Sequence, residues 1–364
     1  MPTKVIAFVL SFLSIFMFWN SAAQPNRIPE TRSYLGEVPD KYGVWPTEEF
    51  EVTDAFPPLL GAVLENLYKV KGLTGNGSHN DSMLVLHKGV IVYETYAEGW
   101  DEDIPHPMYS VTKSVMSALV GIAIAEGKIE GLGQKVVDFY PEAPSKPGWQ
   151  ESKADMTVGH LITMTSGLPG DGDEGDWDLW AKAPDSGLAA FLTPQKAAPG
   201  TQYNYSSGSN CQTLAGLLTR AVGMNLFEYA KLKLFGPIGM EPTAWMAADD
   251  GVNAGGFGLE MTSRDMARLG YLYLNYGRWE NQQIIPAEWV VQTPPKSMSR
   301  KSYGHMWWNY PYQPFNGSFE ANGLFGQYIA VLPEWDTVIV RTGSQGPIDE
   351  FVADLGRKLG LMPY

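Results

Sequence analysis

Ser110-Val111-Thr112-Lys113 sets a hydroxyl three residues ahead of an amine. On a helix, positions i and i+3 share a face, so the two groups can meet. The run that follows, from Ser114 to Glu126, carries Val115, Met116, Leu119, Val120, Ile122, Ala123 and Ile124. It is apolar on nearly every side, which predicts a helix buried in the protein. Lys113 would then sit in a poorly solvated place near a helix N-terminus. Burial and the positive end of the helix both disfavour its ammonium form, so we expect a lowered pKa. Such a lysine could take the proton of Ser110 and turn that serine into a nucleophile. Alone the pattern is weak, because a surface serine beside a snorkelling lysine would look the same.

Two further segments offer chemistry. Gly200-Thr201-Gln202-Tyr203-Asn204-Tyr205-Ser206-Ser207-Gly208 reads as a loop running into a helix. A tyrosine beside a lysine ammonium can lose its phenolic proton near neutral pH, and Tyr205 could then act as general base or acid. The plainer reading is a turn tyrosine with serines capping the helix. Ala321-Asn322-Gly323-Leu324-Phe325-Gly326-Gln327 leads into a strand at Tyr328. Small residues at a strand edge let a substrate approach the backbone. A free N–H there could complete an oxyanion hole with the N–H of Ser110. A turn or bulge would also account for the segment.

These groups need a scaffold, and its elements are visible in the pattern. Met83 to His87 and Val90 to Ala97 are β-rich and joined by Lys88-Gly89, a hairpin signal. Gln327 to Leu332 and Thr337 to Thr342 form a second strand pair around Pro333-Glu334-Trp335-Asp336. Between them lie helices: one opened by Thr157, one from Asn210 to Ala221 closed by Gly223, and one from Thr262 to Tyr276 stopped by Gly277. Helices are also expected near Leu59 to Val70 and Ile348 to Leu359. The pattern predicts an α+β fold with a sheet built from both ends of the chain and a helical insertion at roughly 130–250. Gly170 to Asp178 has no periodicity and carries Asp171, Asp173, Glu174, Asp176 and Asp178. It reads as a solvated loop, or as an acidic gate if it borders the cleft.

Ser-x-x-Lys, Tyr-x-Ser and a glycine-containing edge strand, in that order, resemble the penicillin-recognising serine hydrolases. Within them the chain resembles the class C β-lactamase-like group, which includes esterases, D-aminopeptidases and 6-aminohexanoate-dimer hydrolase. Three connecting segments reinforce the likeness: residues 157–168, residues 236–240 and residues 262–268. The likeness runs from about residue 80 to the C-terminus. It implies a β-lactamase/transpeptidase-like fold, an antiparallel sheet flanked by helices and joined to a mainly helical domain, with the site between them. It also implies roles. Ser110 would be acylated, Lys113 would be its proton partner, and Tyr205 would be general base and acid. Leu324 would give the second oxyanion N–H. Ser207, Asn322 and Gly323 would border the substrate. Ser207 stands where the lactamases usually have asparagine. The third motif opens on Ala321 rather than on lysine or histidine, so it offers no cation for a substrate carboxylate. Both departures weigh against a β-lactamase or peptidoglycan substrate.

The composition narrows the partners. A formal net charge of −14 argues against nucleic acid and against anionic membrane surfaces. The five histidines show no metal-ligand spacing, and His160 and His305 read as structural. The acidic stretch lacks the ligand order of an EF-hand. Cys211 is the single cysteine, so the chain has no internal disulfide. Lys4, the apolar run Val5 to Trp19 and Ser21-Ala22-Ala23 read as a signal peptide cleaved after Ala23. A proline-rich arm at 24–57 and a hydrolase domain at 58–364 would follow, in a secreted or periplasmic protein. The leading expectation is a serine hydrolase of a small ester or linear amide, which needs no metal or cofactor. The alternatives are a β-lactamase or D-amino-acid-specific peptidase, and a non-catalytic relative that binds peptidoglycan or a protein.

Overall fold

A computed structural model describes residues 80–171, 178–293, 303–309 and 317–343. The expected leader, arm and two terminal helices lie outside these residues, as do Asp173, Glu174 and Asp176. The hairpin read from Lys88-Gly89 is present. Strands β1 (Asn80–His87) and β2 (Val90–Tyr96) flank a turn in which both residues have positive φ, 51° and 79°. That is the backbone a tight, right-twisting hairpin requires.

The sheet is built from both ends, as the strand pattern predicts. Its order is β2-β1-β12-β11-β10-β9-β8, antiparallel throughout. Here β8 is Tyr303–Gly304, β9 is Trp307–Asn309, β10 is Phe319–Gly323, β11 is Gln327–Leu332 and β12 is Thr337–Gly343, while β6 (Arg278–Trp279) and β7 (Gln282–Gln283) form a ribbon of their own. Leu84 pairs with Val340 and Leu86 with Val338, so strands near opposite ends of the chain share one apolar face. Helix α7 (Ser263–Leu274) packs on β1, β11 and β12. Its first turn is capped as expected, with the Thr262 hydroxyl accepting the Asp265 N–H.

Helix α1 (Val111–Ala125) is the centre of the molecule. Every residue from Val111 to Ala123 is buried. The helix packs on β10 and β11 and, away from the sheet, on α5 (Ser209–Val222). Trp289, on α8 (Ala287–Gln292), donates its indole N–H to Ser117 on α1 at 3.3 Å. Among the described residues between α1 and α5 are the short α-helices α2 (Val158–Ile162), α3 (Asp178–Ala181) and α4 (Ser186–Phe191). A sixth helix, α6 (Leu226–Ala230), follows α5. The Thr157 cap of α2 is reciprocal: its hydroxyl accepts the His160 N–H, and His160 Nδ1 accepts the Thr157 N–H. His160 is therefore a satisfied structural histidine.

A smaller sheet fixes the approach to α1. Strand β3 (His106–Pro107) pairs with β5 (Leu259–Met261), which pairs with β4 (Ala244–Trp245). The Met108 N–H continues the ladder by donating to Leu259 O at 2.8 Å. The chain then reverses at Tyr109, a non-glycine residue at φ 46°. A left-handed conformation here costs on the order of 1–3 kcal/mol and is kept only where the surroundings impose it. No helix among the described residues is long and apolar enough to cross a membrane.

Candidate active site

Ser110 is the N-cap residue of α1, yet its side chain makes no capping bond. A serine here usually accepts a backbone N–H of the first turn, worth about 1 kcal/mol. Instead the Ser110 hydroxyl accepts from Lys113 Nζ at 2.8 Å. The i, i+3 spacing thus brings the two groups together as the sequence predicts. Lys113 is 1% exposed, and Nζ makes two further bonds, to Ser207 Oγ at 2.8 Å and Gly256 O at 2.9 Å. Three donors meet three acceptors, which satisfies the ammonium completely.

Tyr205 arrives in the loop before α5. Lys113 Nζ lies 4.7 Å from the centroid of its ring. The two serines beside it divide the labour. Ser206 Oγ accepts the Asn210 N–H at 3.0 Å, and so serves the helix. Ser207 turns to Lys113. Two aromatic rings pack on Tyr205, Tyr303 at 5.7 Å and Trp308 at 5.5 Å between centroids, and Tyr203 in turn meets Tyr303 at 5.9 Å.

The electrostatics correct the expectation for both titrating groups. Burial does pull the Lys113 pKa down. The adjacent Tyr205 oxygen, then Cys211 and Asp171, outweigh burial, and the net direction is up. Burial also raises Tyr205; Lys113 and the hydrogen bonds to Ser110 and Lys113 pull it back only in part, and Asp171 pushes it further up. At neutral pH the resting pair is therefore ammonium and neutral phenol. The sequence showed burial and the helix end, but not which partners would crowd the amine.

The third motif falls on β10, which lies between β11 and β9 rather than at the edge of the sheet as expected, and its glycine has a different use. A Cβ on Gly323 would lie 2.4 Å from Met108 O. The missing side chain lets β10 press against the backbone that leads to Ser110, rather than opening space for a substrate. Leu324–Gly326 is a single tight turn with Phe325 left-handed at φ 62°. Phe325 is 41% exposed and meets Tyr109 edge-on, 5.1 Å between centroids. The two left-handed residues thus pack on each other, with Tyr109 next to Ser110 in the chain. The side chain of Asn322 is engaged inside the strand, donating to Glu320 Oε1 at 3.2 Å.

Two contributors were missed. Gly256 supplies a carbonyl to Lys113, and a Cβ on it would stand 2.2 Å from Ser207 O. Only glycine allows that approach, and the pair Gly255-Gly256 was the available signal. The sequence pattern puts Asp171 in an acidic loop. Its carboxylate instead accepts both the N–H and the hydroxyl of Ser207, the latter at 2.9 Å. His305 is buried against Trp289, 4.5 Å between centroids, and burial pushes its pKa down to about 4. It packs in the core. Among the described residues no three His, Cys, Asp or Glu side chains are grouped so as to hold a metal ion.

This geometry agrees with the comparisons. The Beta-lactamase family model matches residues 70–359, and the chain belongs to that family of hydrolases. It is 24% identical over 287 residues to the 6-aminohexanoate-dimer hydrolase of Paenarthrobacter ureafaciens, covering 72% of each chain. A family VIII carboxylesterase structure superposes with a TM-score of 0.65 at 18% identity, over 84% of this chain and 98% of that one. A penicillin-binding protein homologue from Caulobacter crescentus gives a TM-score of 0.64 at 16% identity, over 80% and 93%. The fold is the β-lactamase/transpeptidase-like α+β fold.

Proposed function

We propose that the protein is a serine hydrolase that cleaves a small ester or linear amide through an acyl-enzyme on Ser110. The observation that carries this reading is the Lys113 ammonium held 2.8 Å from a Ser110 hydroxyl that forgoes its capping bond, beneath Tyr205. Ser110 Oγ attacks the substrate carbonyl carbon, and its proton passes to the Tyr205–Lys113 pair. The oxyanion is received by the N–H groups of Ser110 and Leu324. The pair returns the proton to the departing alcohol or amine, and the acyl group remains on Ser110. Water repeats the attack, the pair again takes and returns a proton, and Ser110 is released. No metal or cofactor enters these steps.

A pair that rests as ammonium and phenol holds one proton too many to act as a base. Turnover therefore requires its loss, and kcat/KM should climb with pH, with no plateau below the ordinary phenol value of about 10. The third motif carries no cation, so anionic substrates gain nothing there. The names of the curated relative and the carboxylesterase neighbour point the same way, to open-chain amides and esters.

The test is stoichiometric labelling by a fluorophosphonate, located on Ser110 by peptide mass, followed by p-nitrophenyl esters, linear amides and nitrocefin. Labelling elsewhere, or full labelling and turnover by Ser110→Ala, would sink the assignment. Nitrocefin as the best substrate would replace the ester and amide reading by a lactamase one. We further take the protein to be secreted or periplasmic, with its leader removed after Ala23; N-terminal sequencing of exported protein checks the cut.

A further inference from the structure

We infer that Asp171 is a positioning residue of the Ser110 site, locking the Ser207 hydroxyl so that it offers Lys113 only a lone pair. The inference rests on the serine-hydrolase reading above. The Asp171 N–H donates to Tyr205 O at 2.9 Å, which ties this end of the loop to the tyrosine motif. Its carboxylate then turns back on the same motif. One oxygen accepts the Ser207 N–H and the other accepts the Ser207 hydroxyl at 2.9 Å.

A serine hydroxyl has a single hydrogen. With that hydrogen on Asp171, Ser207 can meet Lys113 only as an acceptor, which is how the 2.8 Å contact must be read. Gly256 O can also only accept. Of the three oxygens that accept from Lys113 in these bonds, Ser110 alone keeps a hydrogen free to move; the Tyr205 phenol beside them is the lysine's partner in the proton-transfer pair. Asp171 thereby makes proton exchange between lysine and serine run along one line, the one that ends at the nucleophile. A rotating Ser207 hydroxyl would compete by donating to the neutral amine and stabilising it unproductively.

Asp171 also acts through its charge. Among the described residues, the titratable groups that face Lys113 are Tyr205, Cys211 and Asp171, and those that face Tyr205 include Lys113, Tyr203, Tyr303 and Asp171. Asp171 is the one carboxylate among them. It raises both Lys113 and Tyr205, and so holds the extra proton on the resting pair. In place of an acidic gate that sorts substrates, this position is a wall of the catalytic centre.

The experiment needs no knowledge of the substrate. The rate of Ser110 labelling by a fluorophosphonate is followed from about pH 6 to 12, with brief exposure at the alkaline end, for the unmodified protein, Asp171→Asn, Ser207→Ala and the double variant. Asparagine is nearly isosteric and keeps one acceptor, so the fold should hold; thermal unfolding of each variant checks this. For Asp171→Asn the rise of rate with pH should move to lower pH by about half a unit or more, because a negative charge is gone. Its limiting rate should fall roughly tenfold, because the Ser207 hydroxyl is no longer held. Ser207→Ala should show a similar fall, and adding Asp171→Asn to it should cost little more in limiting rate. A merely structural role would not move the pH profile. Superimposable pH profiles overturn the inference, as do independent, multiplying losses. So does an effect of Asp171→Asn seen with a cationic fluorophosphonate and absent with a neutral one, which would make Asp171 a substrate contact. No labelling of the unmodified protein at any pH overturns the serine-hydrolase reading itself, and this inference with it.

Discussion

The molecule contains a second lysine as deeply buried as Lys113. Lys153 is 0% exposed, and its Nζ also donates three bonds, to Phe191 O at 2.7 Å, Thr193 O at 2.8 Å and Gly148 O at 3.2 Å. It even has an aromatic neighbour, the Phe191 ring centroid at 5.7 Å. Burial, bond count and a nearby ring are thus matched. The partners differ. Around Lys113, two of three acceptors are hydroxyls and the ring is a phenol; around Lys153, all three are carbonyls and the ring is a phenyl. A carbonyl oxygen accepts and does nothing else, whereas a hydroxyl can also give up or receive a proton. Lys153 staples the chain at 148, 191 and 193 together. Lys113 is wired for proton transfer. Burial of a lysine does not mark a catalytic site; exchangeable protons on its partners do.

If that distinction is right, removing the two amines should damage different quantities. Lys113→Ala and Tyr205→Phe should each lower kcat by about 10³-fold, with the double variant little worse than either. Steady-state kinetics on the best p-nitrophenyl ester reads this directly. Losses that multiply would mean the two groups do not share one proton path. Lys153→Met should leave kcat per folded molecule unchanged. It strands one buried carbonyl, Phe191 O, and two part-buried ones, Gly148 O and Thr193 O, and should cost about 2 kcal/mol of stability, seen in urea unfolding. A catalytic defect without a stability defect in Lys153→Met would erase the contrast.

The two lysines also differ in how far the sequence reveals them. Lys113 announces itself, because its partner Ser110 is local and a long apolar run follows. The hairpin at Lys88-Gly89, the caps Thr157 and Thr262 and the pair β11–β12 were legible for the same reason: each is specified within a few residues. Lys153 lies in the polar run Glu151-Ser152-Lys153-Ala154-Asp155, where nothing signals burial. Its partners come from distant segments, and only folding assembles them. Asp171 and Gly256 were hidden likewise, since each reaches Lys113 or Ser207 from far along the chain. The short strands β3, β4, β8 and β9 have two or three residues each, too few to show a period of two. The direction of the Lys113 shift failed on the same ground. Its local causes, burial and the helix end, point down, while its long-range cause, Tyr205, points up and wins.

The smallest expected effect concerns pH and stability, and it should have opposite signs for the two lysines. Burial pushes the Lys153 pKa down to about 8, against about 10.4 for a lysine in the unfolded chain. Between those values the unfolded state binds more protons than the folded state, so the Lys153 contribution to stability rises with pH. Below pH 8 the ammonium is present in both states and the cost of burying it is carried in full. For Lys113 the folded value lies above the unfolded one. Its contribution is intact below the unfolded value and is lost only as pH rises through the folded one. In urea unfolding at pH 7.5, 8.5 and 9.5, the stability advantage of the unmodified protein over Lys153→Met should therefore widen with pH. The corresponding comparison with Lys113→Met should stay level across the same range. A Lys153 gap that stays flat would mean that its three carbonyls favour the ammonium as strongly as burial opposes it. In that case the two lysines would differ in proton mobility alone, and the electrostatic half of the contrast would fall.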